Sequence, residues 1–179
     1  MTKQLKLAGQ VAALAAVATL LALLVWKLTH QTHPPKIGGP APNFTLNRIN
    51  GIGKLDLAAL RGKAVVINFW ASWCSPCKAE APALEKLWRE YRGKGVVFVG
   101  VDSNDASSDA RRFLLAHGIT YPVVSDENGL VAANQYDIAN LPVTYFVNRQ
   151  GRLVASHILG GVNDYTPEFR DALAAAMHS

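Results

Sequence analysis

Two cysteines, Cys74 and Cys77, are all that this chain of 179 residues contains. That scarcity excludes a disulfide framework of the kind that holds small secreted domains together. It also excludes a structural zinc site, because no second C-x-x-C or C-x-x-H is present to complete one. The expected metal complement is therefore none. No flavin or nicotinamide motif occurs, so no organic cofactor is expected and electrons for any redox step must come from outside the chain. Internal repeats are absent as well. The first 36 residues lack acids entirely, while holding Lys3, Lys6, Lys27 and Lys36. The formal charge of +5 is concentrated there: from Ile37 onward 14 basic residues face 13 acidic ones. A globular part so close to neutral has no basic face for nucleic acid, and none is expected as a partner.

What is present begins with a long apolar run. Val11 to Trp26 is apolar except for Thr19, and Leu7-Ala8-Gly9 extends it towards the 20 or so residues that span a bilayer. Its leucines and valines favour insertion by roughly 3–5 kcal/mol. No small-x-small cleavage site follows, so residues 1–28 read as a retained anchor rather than a removed signal peptide. A buried helix of the domain is disfavoured because the run is apolar all round. The amino terminus, Lys3 and Lys6 favour a cytoplasmic N-terminus, with Lys27 and Lys36 opposing them. The expectation is one membrane pass, with the domain on the periplasmic or equivalent outer side. Residues 29–42, with Pro34-Pro35 and Gly38-Gly39, read as a linker, and 43–179 as the domain. His30 and His33 lie in the linker without partner ligands.

Half of the residues are hydrophobic, enough for a core without disulfide support. Ala64 to Trp70 is a continuous run fit for a strand buried on both faces. Ser75 to Tyr91 has helical spacing, with Cys77, Ala81, Leu84, Leu87, Trp88 and Tyr91 on one side. Pro76 suits its first turn, and Pro82 leaves the Lys78 carbonyl without its usual donor, which predicts a kink. A strand at Val96–Val101, a helix at Asp105–His117, a strand at Tyr121–Val124 and a short helix to about Tyr136 follow. Strands at Val143–Val147 and Leu153–Ile158 flank the turn Asn148-Arg149-Gln150-Gly151. A last helix runs from Thr166, its cap, to Met177. Phe44–Leu46 and Leu55–Leu60 form a small preface. Alternation of this kind implies an α/β sheet with helices on both faces and an antiparallel hairpin at the end.

Cys74 and Cys77 close a loop of four residues, worth roughly 2 kcal/mol as a staple. Reversible thiol chemistry is a better use of such a pair than stability. The stretch Asn68-Phe69-Trp70-Ala71-Ser72-Trp73-Cys74-Ser75-Pro76-Cys77-Lys78, with Pro82 beyond it, resembles the active site of the thioredoxin-fold superfamily. Leu141-Pro142-Val143-Thr144-Tyr145-Phe146 is similar to that family's cis-proline loop entering a strand. The segment of about 40 residues from Asp102 to Pro142 holds an insertion with its own helix and strand. With the Gly-Pro-Ala-Pro-Asn-Phe entry and the anchor, it resembles the TlpA/ResA/CcmG branch of membrane-anchored extracytoplasmic thiol–disulfide oxidoreductases. The likeness covers Ile37 to about Gly161. It implies a thioredoxin fold: a central mixed sheet flanked by helices, an N-terminal extension and the insertion before the cis-proline loop.

Cys74, at the start of the helix, would be a thiolate stabilised by free N–H groups and the helix dipole. It would attack a substrate disulfide, and Cys77 would resolve the mixed disulfide. The resemblance places Glu80 near the sulfurs, as a proton shuttle for Cys77; a solvated helix carboxylate is the plainer alternative. Asn68 stands where thioredoxin has a buried aspartate and cannot accept a proton. Trp73, Pro76, Leu141 and Pro142 are the expected substrate-binding residues, with Leu141-Pro142 cis and Trp70 in the core. The expected substrate is a disulfide in an exported protein, the expected electron donor a membrane thiol carrier, and cytochrome c maturation or related assembly the expected setting. Ser75-Pro76 carries no charge or histidine to stabilise the reduced pair strongly, which favours net reduction. A net oxidant or isomerase, and a Cu(I)-binding chaperone using both sulfurs, are the alternatives. A peroxidase of this fold would place a proline just upstream of its nucleophile, and Asn68 to Trp73 supplies none. Val143 stands where the CcmG subgroup has an acid.

Overall fold

A computed structural model of the chain describes residues 2–29, 34–158 and 167–179. His30, His33 and the Thr166 cap lie outside the described residues. The chain divides into two compact units at residues 33 and 34. The first is a single helix, α1 (Thr2–Thr29), whose stretch Ala8–Trp26 is long and apolar enough to cross a membrane. Its one hydroxyl in that stretch, on Thr19, donates to the Ala15 carbonyl at 2.9 Å.

The second unit is built on a seven-stranded sheet: β1 (Thr45–Arg48), β2 (Lys54–Asp56), β3 (Ala64–Trp70), β4 (Val96–Ser103), β5 (Val123–Asp126), β6 (Val143–Val147) and β7 (Leu153–Ile158). Their spatial order is β2-β1-β5-β4-β3-β6-β7. β3 pairs in parallel with β4, and β4 with β5, while β6 runs antiparallel to β3 and to β7. β3 is central and buried at every position, as its unbroken apolar run requires. Its alternate residues feed two cores. Val66 and Trp70 pack with α2 (Ser75–Tyr91), α3 (Ser107–His117) and α5 (Pro167–His178) on one face. Val65, Ile67 and Phe69 pack on the other with Val131, Ala132 and Tyr136, around α4 (Leu130–Gln135), and with Phe44 and Leu57.

β3, α2, β6 and β7 stand where the periodicity places them. Several boundaries differ, three of them for a visible local reason. β5 starts at Val123 rather than Tyr121 because Pro122 has no N–H, although its carbonyl accepts from Gly100 N–H at 2.9 Å. β4 runs on to Ser103, carrying Asp102 inside the sheet. α3 begins at Ser107 rather than Asp105, whose carboxylate is engaged elsewhere. The preface is part of the sheet: β1 pairs antiparallel with both β2 and β5. Pro82 lies inside α2, which continues past it.

The stretch read as a linker is anchored along its second half. Gly38 N–H donates to the Leu153 carbonyl at 2.6 Å and Ala41 N–H to that of Gly151 at 2.9 Å. Leu153 N–H returns a bond to the Gly39 carbonyl at 2.9 Å, and Pro40 stands opposite Arg152. The proline and glycine content rules out a regular strand of its own, yet an edge strand offers unpaired groups to whatever backbone reaches it. Gly38, at φ +83°, supplies the left-handed turn that starts the pairing.

Candidate active site

β3 ends at Trp70, and the chain turns through Ala71-Ser72-Trp73 into α2. Cys74 is the N-cap of that helix, with extended backbone, and its Sγ accepts the Cys77 N–H at 3.2 Å. A sulfur so placed faces the unpaired amides and positive dipole end of a 17-residue helix. Pro76 sits in the first turn, exposed, and removes one amide that would otherwise need a partner. Cys74 and Cys77 are joined as a disulfide, with Cα atoms 5.3 Å apart. Both are buried, at 4% and 2% exposure. Trp73, Ser75 and Pro76 are the accessible parts of the motif; Trp73 is 58% exposed, and its indole N–H donates to the Asn104 carbonyl at 3.1 Å.

A second loop therefore holds the turn. Asp105 Oδ2 accepts the Ser72 N–H at 2.6 Å, next to the Trp73–Asn104 bond. Asn104 has φ +53°, a left-handed conformation that asparagine tolerates better than most residues. Asn104 and Asp105 were not foreseen. Their signal was faint: a pair of polar residues just after a buried strand.

Leu141-Pro142 is a cis peptide, as expected. Val143 pairs with Phe69, so this loop enters β6 at the end of the sheet where β3 runs into the cysteine turn. Leu141 packs against the cluster that contains Cys74 and Cys77, while Pro142 is buried. Trp73 and Leu141 line a groove of about 440 Å³, with Asn104, Asn128 and Asn140 among its walls and no ionisable side chain. Pro76 is not part of that groove. Among the described residues no cluster of histidine, cysteine and carboxylate ligands could hold a metal ion.

Glu80 is not a solvated carboxylate: it is 1% exposed. Its Oε1 accepts from Asn68 Nδ2 at 2.9 Å, and its Oε2 has no partner among the described residues. Burial raises its pKa to about 7, with the Asn68 bond opposing that rise. Glu80 lies three residues from Cys77 on the same helix, the spacing of facing neighbours. Asp102, fully buried near the end of β4, has no hydrogen-bond partner for either carboxylate oxygen among the described residues. Burial raises its pKa to about 8, aided by the nearby negative charges of Asp105, Asp126 and Glu127. The lone acid closing the apolar run Val99-Gly100-Val101 was its sequence signal.

This geometry is shared with known proteins. Residues 37–156 match the AhpC/TSA family. The chain is 35% identical over 138 residues to the thiol-disulfide oxidoreductase ResA of Halalkalibacterium halodurans, covering 77% of each chain. Over 163 residues it is 34% identical to ResA of Oceanobacillus iheyensis, covering 85% of this chain and 84% of that one. Its fold is similar to a Chlorobium tepidum crystal structure described as a thiol:disulfide interchange protein DsbE, with a TM-score of 0.72 at 27% identity over 79% of this chain and 98% of that one. The chain belongs to the AhpC/TSA family of thioredoxin-fold proteins, and within it is a thiol-disulfide oxidoreductase of the ResA/DsbE type.

Proposed function

We propose that this chain is a membrane-tethered reductant of disulfides in exported proteins, serving cytochrome c maturation or a related assembly path. The observation that carries the reading is the placement of Cys74 Sγ at a helix N-cap, accepting an amide hydrogen, beside the cis-proline loop. A thiolate there is favoured by the same amides in the reduced protein. Cys74 thiolate attacks one sulfur of the substrate disulfide, and the other sulfur leaves as a thiolate. Cys77 gives its thiol proton to Glu80 and attacks Cys74 Sγ. The mixed disulfide breaks, the substrate's second sulfur leaves, and the Cys74–Cys77 disulfide forms. Two electrons have then passed to the substrate, and a membrane thiol carrier restores the dithiol.

Trp73, Leu141 and Pro142 border the surface on which the substrate lies, with Pro76 at its exposed margin. An extended segment there would bond to the backbone of the cis-proline loop. Residues 1–28 anchor the protein and the domain faces the outer side, where disulfides persist. The short stretch 30–37 connects the two. Net reduction follows from the uncharged Ser75-Pro76 dipeptide, which gives a reduced pair little extra stabilisation.

Trapping tests the reading. Cys77→Ser leaves Cys74 unable to be resolved, so mixed disulfides should accumulate in cells and identify exported, cysteine-bearing partners. An absence of adducts that depend on Cys74 would defeat the proposal.

A further inference from the structure

Asn68 sits in the middle of β3, directly opposite Thr144 of β6. Its side chain is buried, and Nδ2 makes two bonds: to Glu80 Oε1 at 2.9 Å and to Thr144 Oγ1 at 3.1 Å. An amide nitrogen carries two hydrogens and no acceptor, so both are spent. The reverse orientation would set the amide oxygen against a carboxylate oxygen and a hydroxyl without donating to either. With the amide nitrogen so turned, Glu80 Oε1 accepts. With that orientation kept, the proton of the neutral carboxyl resides on Oε2, the buried oxygen without a partner among the described residues. The choice of oxygen is thus made by the sheet, not by the helix that bears Glu80.

We propose that Asn68 is the positioning residue for proton transfer at Cys77: it fixes Oε1, reserves Oε2 for the proton, and ties the carboxyl to the strand that continues the cis-proline loop. The proposal rests on Glu80 as proton acceptor. Deprotonation moves the Cys77 thiol hydrogen to Oε2 and leaves a thiolate, which attacks Cys74 Sγ and expels the thiolate bound there. Asn68 neither gains nor loses a proton. Thr144 lies two residues beyond Pro142, so the amide links the loop expected to hold substrate with the group expected to take the proton.

The test uses the full-length reduced protein in detergent with 5,5′-dithiobis(2-nitrobenzoate). Attack by Cys74 releases a first coloured thiolate, and resolution by Cys77 releases a second, so each step has its own phase. Asn68→Ala removes a bond that holds the Glu80 pKa down, and should move the pH midpoint of the second phase up by about one unit. At pH 7 that phase slows about fivefold, while the first stays within twofold. Asn68→Asp keeps the shape of the side chain, which guards against a failure to fold, and moves the midpoint up further by adding a like charge. The shifts should vanish in a Glu80→Gln background. Unmoved midpoints in both variants, equal slowing of both phases, or a shift that persists without Glu80 would overturn the proposal. If Glu80→Gln itself leaves the second phase unchanged, the role of Glu80 fails first and that of Asn68 with it.

Discussion

At the scale of the residue, this protein places two protonatable carboxyls where the charged form is costly. Glu80 and Asp102 have folded pKa values of about 7 and about 8, both raised above the unfolded values chiefly by burial. The folded state therefore binds these protons more tightly than the unfolded chain. Their contribution is fully present below about pH 4 and is lost as pH climbs towards the folded values. Stability should fall between about pH 4 and 8, most through Asp102, whose folded pKa lies farther above its ordinary value than that of Glu80. Asp102→Asn should flatten that slope. Denaturant unfolding of the domain should show the variant gaining on the wild type by about 2–4 kcal/mol between pH 5 and pH 8. A parallel pair of pH curves would show that Asp102 is already charged or solvated in the native state. The roles proposed for Cys74, Cys77 and Pro142 could be drawn from the sequence because each sits in a local pattern. The burial of Glu80 could not, since helix spacing alone leaves a carboxylate free to face water or strand. Asn68 was noticed only for what it cannot do; its bond to Thr144 joins residues 76 positions apart.

Elements were legible in proportion to how local their causes are. The apolar run of β3 and the 3.6-residue spacing of α2 carry their own boundaries. The start of α3 does not, because Asp105 is drawn to the Ser72 amide of another loop. Likewise β1 and β2 are short and weakly patterned, and only pairing with β5 makes them sheet. The parallel core depends on close approach at one glycine. A Cβ on Gly100 would lie 3.0 Å from Trp70 Nε1 and 3.1 Å from side-chain atoms of both Tyr121 and Val123. Gly100→Ala should therefore destabilise the domain by about 1–3 kcal/mol through overpacking. It should also move Trp70, which stacks on Phe113 with centroids 4.4 Å apart, and so alter the tryptophan fluorescence of the folded state. Unchanged stability and spectrum would mean that β4 and α3 can part without loss.

For the whole molecule, the two compact units divide between residues 33 and 34, inside the stretch read as a linker, so the second half of that stretch belongs with the domain. The fold class follows from element alternation, while the sheet order, with β1 inserted beside β5, comes from long-range pairing that no local pattern encodes. The segment Gly38–Ala41 also has a consequence for association. β7 is the outermost strand of a seven-stranded sheet, and an open edge invites the same strand of another copy. Residues 38–41 pair with Leu153, the first residue of that strand, and with Gly151 and Arg152 just before it, which closes this end of the edge to another copy. Gly38→Pro removes the amide that bonds Leu153 and forbids a φ of +83°. Size-exclusion chromatography of the variant should show dimers and larger species growing with concentration, where the parent stays a single peak. Should the variant elute unchanged, the edge is protected by something other than this strap. In this protein the segment that enters the domain would then have a second task, keeping neighbouring copies apart.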